Sequence, residues 1–228
     1  MKDTPFSHMP RLQLCASFLP RGIRLCDVGT DHAYLPVALA LQGAVVSALA
    51  CDIREGPLRS AQAHIAAYAV ADRVKTRLSD GLRAVDAEEV DAVVLAGMGG
   101  ELIARIIGET AWLRDPQKFL VVQPMSKAPA LRESLAQNGF ALEREEAVFD
   151  AGRPYTVMAY RFAPDRALTD AAHIWFGLLQ PCTPPARAYL QRVQRDLQRR
   201  IHGILCEHGD PSAFQALSDR LASALQTP

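Results

Sequence analysis

Five short apolar segments recur along the first 123 residues of the chain. They span residues 23–28, 45–51, 74–78, 92–96 and 119–123, and each is five to seven residues long. Mostly apolar runs of this length are typical of strands buried on both faces of a parallel sheet. Segments with apolar residues spaced by three and four separate them, at 33–42, 58–68, 102–107 and 130–138. The alternation predicts an α/β fold with a doubly wound, Rossmann-like sheet.

The pattern changes after residue 138. Residues 140–149 and 154–162 are strand-like, and the segment that joins them, 150–153, is rich in turn residues. We therefore predict an antiparallel hairpin that closes one edge of a mostly parallel, seven-stranded sheet. A terminal hairpin of this kind is common in S-adenosylmethionine-dependent methyltransferases and unusual in dinucleotide dehydrogenases.

The last part of the chain has a helical pattern only. Prolines interrupt the sequence at 181–185, and apolar residues then recur at spacings of three and four over 190–204 and again over 214–225. Gly209, Asp210 and Pro211 between them supply a helix stop, an N-cap and a first-turn proline. We predict a short C-terminal helical hairpin that lies outside the sheet domain.

The composition is that of a globular protein. Of 228 residues, 49% are hydrophobic, and 25 basic side chains balance 25 acidic ones. This excludes a disordered chain, and the lack of any run of about 18 apolar residues excludes a membrane-spanning helix. Five cysteines without a C-x-x-C pair disfavour a metal centre, and Cys26 and Cys51 are predicted to be buried. Because the chain also opens with Lys2 and Asp3 and lacks a signal-peptide core, we expect a cytoplasmic protein. We further expect a monomer or weak dimer.

Charge is unevenly distributed along the sequence. Residues 80–150 hold seven basic and thirteen acidic side chains, whereas residues 1–79 and 151–228 each hold nine basic and six acidic ones. A polyanionic partner would therefore face the two ends of the chain. Five arginines between residues 187 and 200 accompany a single acid, Asp196, on one predicted helix. An arginine-rich helix face is often simply solvated, so charge alone leaves the partner open.

Residues 27–36 lead from the first predicted strand into a helix and combine a glycine with acidic and aromatic side chains. Gly29 allows a ligand to approach the backbone, and the helix start offers free amide donors. A pyrophosphate loop would carry further glycines where this chain has Asp31 and Tyr34. The Asp31 carboxylate would repel phosphate but attract an ammonium group. The alternative is an ordinary strand–helix turn in which Asp31 caps the helix.

Acidic residues follow three successive strands. Asp27, Asp52 and Asp80 stand at the ends of the first, second and third predicted strands. A carboxylate at the end of the second strand is suited to accept both hydroxyls of an adenosine ribose, and one after the third strand to accept the adenine amine. A single such acid is usually a helix cap. Three of them predict a ligand site along one edge of the sheet.

The fourth predicted strand leads into Gly97, Met98, Gly99 and Gly100, which we call the glycine segment. Amino-methylating enzymes often carry an Asp/Asn-Pro-Pro-aromatic motif here, and this chain does not. The glycines would bring the backbone close to a methyl donor or a target base, or would allow the next helix to pack tightly on the sheet. The fifth strand ends in Gln123 and Pro124, on the same rim.

Together these segments resemble one family, the bacterial tRNA adenine-22 N1-methyltransferases. The resemblance runs in order over residues 10–160, and its most specific parts are Asp-His-Ala-Tyr-Leu-Pro at 31–36 and Gly-Met-Gly-Gly at 97–100. The other matching segments are Arg11-Leu12, Asp27 to Thr30, Asp52, Gly56-Pro57, Ser79 to Leu82 and Gln123-Pro124.

The resemblance implies a class I methyltransferase domain over residues 1–163 and a helical, coiled-coil-like region over 164–228. It implies transfer of a methyl group from S-adenosylmethionine to N1 of an adenine in tRNA, with no metal. The expected catalytic residues are Asp31, His32 and Tyr34. The expected cofactor contacts are Asp27, Gly29, Thr30, Asp31, Asp52, Ile53, Asp80, Gly81, Gly97, Met98 and Gly99. The expected substrate contacts are Arg11, Arg54, Gly100, Gln123, Pro124, Arg153 and Tyr155, with Arg21 and Arg24 as further phosphate contacts.

The chain departs from the family pattern in its short helical tail and in the hairpin turn, where Ala-Gly-Arg-Pro-Tyr replaces a more acidic and lysine-rich sequence. Two alternatives therefore stay open at this point. One is a class I methyltransferase that acts on another RNA, a small molecule or a protein. The other is a non-catalytic, RNA-binding relative.

Overall fold

A computed structural model describes Phe6 and residues 8–226 of the chain. Lys2 and Asp3, on which the expectation about export rests, lie outside the described residues. Seven strands form one sheet: β1 (Ile23–Val28), β2 (Val45–Asp52), β3 (Val74–Leu78), β4 (Ala92–Gly99), β5 (Phe119–Ser126), β6 (Phe140–Asp150) and β7 (Arg153–Phe162). The α-helices are α1 (Pro10–Phe18), α2 (Tyr34–Leu41), α3 (Glu55–Ala67), α4 (Gly100–Glu109), α5 (Ala128–Gln137), α6 (Ala171–Phe176), α7 (Pro184–Cys206) and α8 (Ser212–Gln226).

The strand order is β3-β2-β1-β4-β5-β7-β6, parallel from β3 to β5 and antiparallel over the last pairs. The predicted doubly wound sheet with a terminal hairpin is therefore confirmed. Because β1 has β2 on one side and β4 on the other, the strand order reverses between β1 and β4. In open α/β sheets, the crevice at the carboxyl ends of two such strands is where ligands bind.

Helices cover both faces of the sheet. Residues from α1, α2 and α3 share one hydrophobic cluster with one face of the strands, and residues from α4 and α5 share a second cluster with the other face. The central strands are consequently buried on both sides, as their apolar runs predict.

The C-terminal helices pack on the hairpin edge. Their own cluster includes Tyr189, Leu197 and Leu221, and α7 contacts β6 and β7. The predicted helical hairpin is confirmed as α7 and α8, and α6 is a short helix that the apolar spacing does not predict. The division into units at residue 163 stays a prediction.

Candidate functional site

A cavity of 440 Å³ lies at the carboxyl ends of β1 and β4. This volume falls within the roughly 300–1,000 Å³ usual for small-molecule sites. Predicted site residues that line it are Arg11, Asp27, Gly29, Thr30, Asp31, His32, Tyr34 and Gly97. The other lining residues were not among the expected site residues, and they are Met9, Leu12, Leu35, Ala96, Met125 and Asp150.

The loop from β1 to α2 is fixed to the neighbouring strand. Gly29 has φ +77°, a conformation that favours glycine, and the amides of Gly29 and Thr30 both donate to the carbonyl of Cys51, at 2.8 and 2.9 Å. The Ala33 amide donates to the Thr30 hydroxyl at 3.1 Å, and Ala33 itself is the residue that precedes α2. The alternative in which Asp31 caps this helix is therefore wrong, and its side chain is 74% exposed.

Asp27 places a buried carboxyl group beside this loop. Burial raises its pKa to about 6, although a hydrogen bond with the Thr30 hydroxyl opposes part of the shift. The residue is only 7% exposed, yet it lines the cavity. Such a carboxyl group favours a cationic ligand, whose charge stabilises the ionised form.

The expected catalytic residues lie together at the cavity. The His32 Nε2 is 3.5 Å from a carboxylate oxygen of Asp31, and the His32 and Tyr34 ring centroids are 5.1 Å apart. Tyr34 also meets the His64 ring edge-to-face at 4.9 Å. An acid and two aromatic rings thus stand side by side on the cavity wall.

Asp52 and Asp80 extend the acidic edge beyond the cavity. The Ser79 amide donates to the backbone carbonyl of Asp52 at 2.9 Å, which joins the ends of β2 and β3. The Asp52 Oδ1 accepts the Arg54 amide at 2.8 Å, and the adjacent Ile53 is 60% exposed. These residues, with Asp80 and Gly81, are not among those that line the cavity.

The side chain of Asp80 is engaged by two arginines. Its carboxylate lies 3.0 Å from Arg83 and 4.0 Å from Arg105. Gly81, at φ +59°, packs against Ile106, where a Cβ would approach to 3.0 Å. Both positions thus have a structural function, and a cofactor contact at either stays a prediction.

The glycine segment continues β4 instead of following it. The strand extends to Gly99, with register irregularities against β5 at 96–99, so the expectation that it ends at Ala96 is wrong. Gly97 has φ +79°, and a Cβ there would meet nothing within 4 Å. At Gly100, by contrast, a Cβ would lie 2.6 Å from the Lys127 carbonyl oxygen. Gly100 therefore confirms the tight-packing alternative, and Gly97 borders open space.

Arg11 connects α1 to the far side of the cavity. Its guanidinium pairs with the carboxylate of Asp150, donates to the Gln123 side-chain oxygen at 2.9 Å and lies 5.0 Å from the Tyr155 ring centroid. Asp150 is the site residue that the sequence missed, because in the chain it reads as part of a hairpin turn. Its pairing with Arg11, 139 positions away in the sequence, cannot be recognised from the residues around Asp150.

The predicted phosphate contacts divide between the two edges of the sheet. Arg54, 76% exposed, and Arg153, the first residue of β7, lie at the carboxyl edge with the cavity. Arg24 lies at the start of β1 and pairs with Asp91, which precedes β4, and Arg21 precedes β1. The sheet thus places Arg21 and Arg24 at the opposite edge from Arg54, so these predicted phosphate contacts do not form one surface.

The α7 arginines approach the site from the other side. A cavity of 280 Å³ between the β5–α5 connection and α7 is lined by Pro124, Met125, Lys127, Arg192 and Arg199, among others. Met125 also lines the cavity at β1 and β4, so the two cavities are neighbours.

Other site types find no support in the described part of the chain. Within Phe6 and residues 8–226, no group of three or more His, Cys, Asp or Glu side chains is placed to hold a metal ion. Over the same residues, no helix is both long and apolar enough to cross a membrane. Cys26 and Cys51 are buried, as predicted.

Comparisons with known proteins agree with this geometry. The methyltransferase domain family matches residues 8–158. The tRNA (adenine(22)-N(1))-methyltransferase of Bacillus subtilis is 32% identical over 169 residues, which are 74% of this chain and 71% of that protein.

Solved structures resemble almost the whole chain. The B. subtilis m1A22 tRNA methyltransferase TrmK has a TM-score of 0.77 at 28% identity, covering 95% of this chain and 94% of that one. A Streptococcus pneumoniae protein described as a candidate tRNA (m1A22) methyltransferase, solved with S-adenosyl-L-methionine, has a TM-score of 0.80 at 30% identity, covering 95% and 98%. The similarity therefore extends into the C-terminal helices.

Proposed function

Because the chain belongs to the tRNA (adenine-22-N1)-methyltransferase family, we propose that it transfers a methyl group from S-adenosylmethionine to N1 of adenine 22 in tRNA. The observation that carries the proposal is the cavity between β1 and β4, where the buried Asp27 carboxyl group, the Asp31–His32–Tyr34 group and the open face of Gly97 meet. As a tRNA enzyme it would act in the cytoplasm, and we expect a monomer or weak dimer.

The residues present fit a cationic cofactor that carries an adenosine. Asp27 and Asp31 would hold the ammonium group beside Gly29 and Thr30, because burial of Asp27 favours a positive partner. Asp52 would accept the ribose hydroxyls, since its contacts within the described chain fall on Oδ1. When bound, S-adenosylmethionine supplies an activated methyl group on a sulfonium.

The adenine ring would lie beyond Asp52. Ile53 and Leu78, 60% and 52% exposed, offer apolar side chains at the ends of β2 and β3. Exposed apolar side chains at these strand ends would pack against the flat adenine ring. Asp80 and Gly81 would contact the adenine amine. The Asp80 carboxylate would do so while it is also paired with Arg83.

The chain's own residues would act mainly by alignment. Neutral adenine carries a lone pair at N1 and loses no proton on attack, so the site needs no strong general base. His32 and Tyr34 would contact the target base with their rings once the base has left its stack in the tRNA. Removing the base from the stack costs a few kcal/mol. Gly97, Met98 and Gly99 would let backbone approach the reacting atoms. As the alternative to holding the ammonium group, Asp31 would stabilise the positive charge that develops on the base.

The tRNA backbone would bind around the cavity. We assign phosphate contacts to Arg54 and Arg153, and to Arg192 and Arg199 of α7, which line the neighbouring cavity with Pro124. Residues 1–163 would thus carry the chemistry and residues 164–228 would add RNA contacts. Gly100, Gln123 and Tyr155 lie behind this surface and would support it.

The test is methylation of an unmodified tRNA transcript with methyl-labelled cofactor, followed by nucleoside analysis. We expect N1-methyladenosine with the natural transcript, and none with a transcript in which adenine 22 is replaced by guanine. Label in guanosine, in another adenine position or in protein would overturn the substrate assignment.

A further inference from the structure

One chain of side-chain contacts links α1 to the wall of the cavity. The Arg11 guanidinium pairs through Nε with Asp150, at the end of β6, and donates from Nη1 to the side-chain oxygen of Gln123 at 2.9 Å. The same guanidinium lies 5.0 Å from the centroid of the Tyr155 ring. Three elements that are distant in sequence therefore hold one arginine in place.

Gln123 passes this contact on to the backbone of the cavity. Its side chain is fully buried, and its oxygen accepts from both Arg11 and the Gly97 amide, the latter at 3.1 Å. Its nitrogen donates to the Pro124 carbonyl at 3.0 Å, which fixes which end of the amide faces Gly97. The Gly97 peptide is consequently held by a residue that Arg11 orients.

The Gly97 peptide needs such support. Its φ of +79° and the register irregularities of β4 at 96–99 leave its amide outside the regular ladder with β5. The Gln123 oxygen supplies that amide with its partner. Loss of the Gln123 oxygen would leave this amide without that partner.

We infer that Arg11 is a positioning residue: the Asp150–Arg11–Gln123 chain fixes the Gly97 peptide at the point where the methyl donor meets the target base. This rests on the proposed function for what binds there. It differs from the expectation that Arg11 contacts a tRNA phosphate, since the Arg11 Nε and Nη1 are already engaged by Asp150 and Gln123. A lysine would not replace it, because one ammonium group lacks the planar fork that serves both partners.

The test is a double-mutant cycle with Arg11→Gln and Gln123→Leu. The measured quantities are the dissociation constant of S-adenosylhomocysteine by calorimetry, the kcat and KM for tRNA, and the hydrogen-exchange rate of the Gly97 amide in the free protein. Arg114→Gln is the matched control, because it removes the same charge from an arginine beyond α4, whose guanidinium contacts Asn138.

Each single variant should accelerate exchange at Gly97 and should weaken cofactor-product binding or lower kcat by roughly tenfold or more, with KM for tRNA little changed. The double variant should be no worse than the more severe single, because both break one pathway. Arg11→Lys should not restore the wild-type values. Asp150→Asn should also accelerate exchange at Gly97 and weaken cofactor-product binding or lower kcat, but by a smaller factor. It takes the place of Gln123→Leu in the cycle if Gln123→Leu lowers the melting temperature.

Additive effects in the cycle would overturn the inference. A second result would also overturn it. In this result the Arg11→Gln protein keeps the wild-type exchange rate at Gly97 and the wild-type affinity for S-adenosylhomocysteine, but the log–log salt slope of tRNA binding falls by about 0.7–0.9. Such a fall is expected when a phosphate contact is lost. Failure of the wild-type protein to bind cofactor or methylate tRNA would instead refute the proposed function, while the exchange rates at Gly97 would still report on the contact chain.

Discussion

The guanidinium of Arg132 and the carboxylate of Glu145 form an ion pair at 2.5 Å in which neither side chain is exposed. Glu145 also accepts from the Leu178 amide at 2.8 Å, and Arg132 donates to the Ile174 carbonyl at 3.1 Å. The pair thus joins α5 and β6 to the segment that leads into α7. It therefore ties the segment before α7 to the sheet domain.

We predict that breaking this pair destabilises the protein strongly. Glu145→Gln or Arg132→Met should lower the free energy of unfolding by about 3–5 kcal/mol, because each leaves one buried charge without its partner. Chemical denaturation measures this directly. The control is Arg59→Gln, which removes an exposed i,i+4 pair with Glu55 and should change stability by less than about 1 kcal/mol. Equal effects of the buried and exposed variants would contradict the prediction.

The buried Asp27 carboxyl group predicts a pH dependence of stability. Because its folded pKa, about 6, exceeds the ordinary value of 3.8, the folded state binds the proton more tightly than the unfolded state. Stability therefore falls as pH rises from about 4 to 6, by about 3 kcal/mol from this group. The difference in unfolding free energy between wild type and Asp27→Asn should follow this curve. A difference that does not vary with pH would show that Asp27 titrates normally.

Asp52 is predicted to hold the cofactor ribose. Asp52→Ala should weaken binding of S-adenosylhomocysteine by roughly a hundredfold or more, because two hydrogen bonds to a carboxylate are lost. Calorimetric titration is the measurement. Asp72→Ala, an exposed acid in the turn before β3, serves as the control and should bind as the wild type does. Wild-type affinity in Asp52→Ala would remove Asp52 from the site.

The exposed arginines predict a salt dependence for tRNA binding. Arg54→Ala and Arg199→Ala should each weaken binding and reduce the log–log salt slope by about 0.7–0.9, the amount expected for one lost phosphate contact. Arg21→Ala should leave the slope unchanged, because Arg21 lies at the opposite edge of the sheet. An unchanged slope in both site variants would show that the patch is elsewhere.

The central strands could be predicted from the sequence because they are buried on both faces. Residues 23–28 match β1 in full, and its last four residues are buried. Residues 74–78 also match β3, although this edge strand has only Val74 buried. The end of β4 could not be predicted in the same way. Glycines normally weaken a strand, and here β4 continues through Gly97 at φ +79° with the Gly97 amide donating to the Gln123 side-chain oxygen. α6 was not predicted either, because it is only six residues long and its end contacts Arg132, which is distant in sequence.

The cavity could be predicted only in part. Asp27, Asp31 and Gly97 come from strand ends, and the topology of a parallel sheet brings strand ends together. Asp150 and the true environment of Arg11 depend on side chains that meet across 139 positions of sequence. Arg24 was expected to contact a tRNA phosphate, but it lies at the edge of the sheet opposite the cavity. Composition alone does not say which end of a strand an arginine occupies.

The most direct test of the central claim is primer extension by reverse transcription on a tRNA transcript that has been incubated with the protein and S-adenosylmethionine. A methyl group on N1 blocks the Watson–Crick edge of adenine, so the account predicts an arrest one nucleotide 3′ of adenine 22, which requires both protein and cofactor and disappears when adenine 22 is replaced by guanine. Full-length products from the natural transcript, or an arrest at a different position, would contradict it.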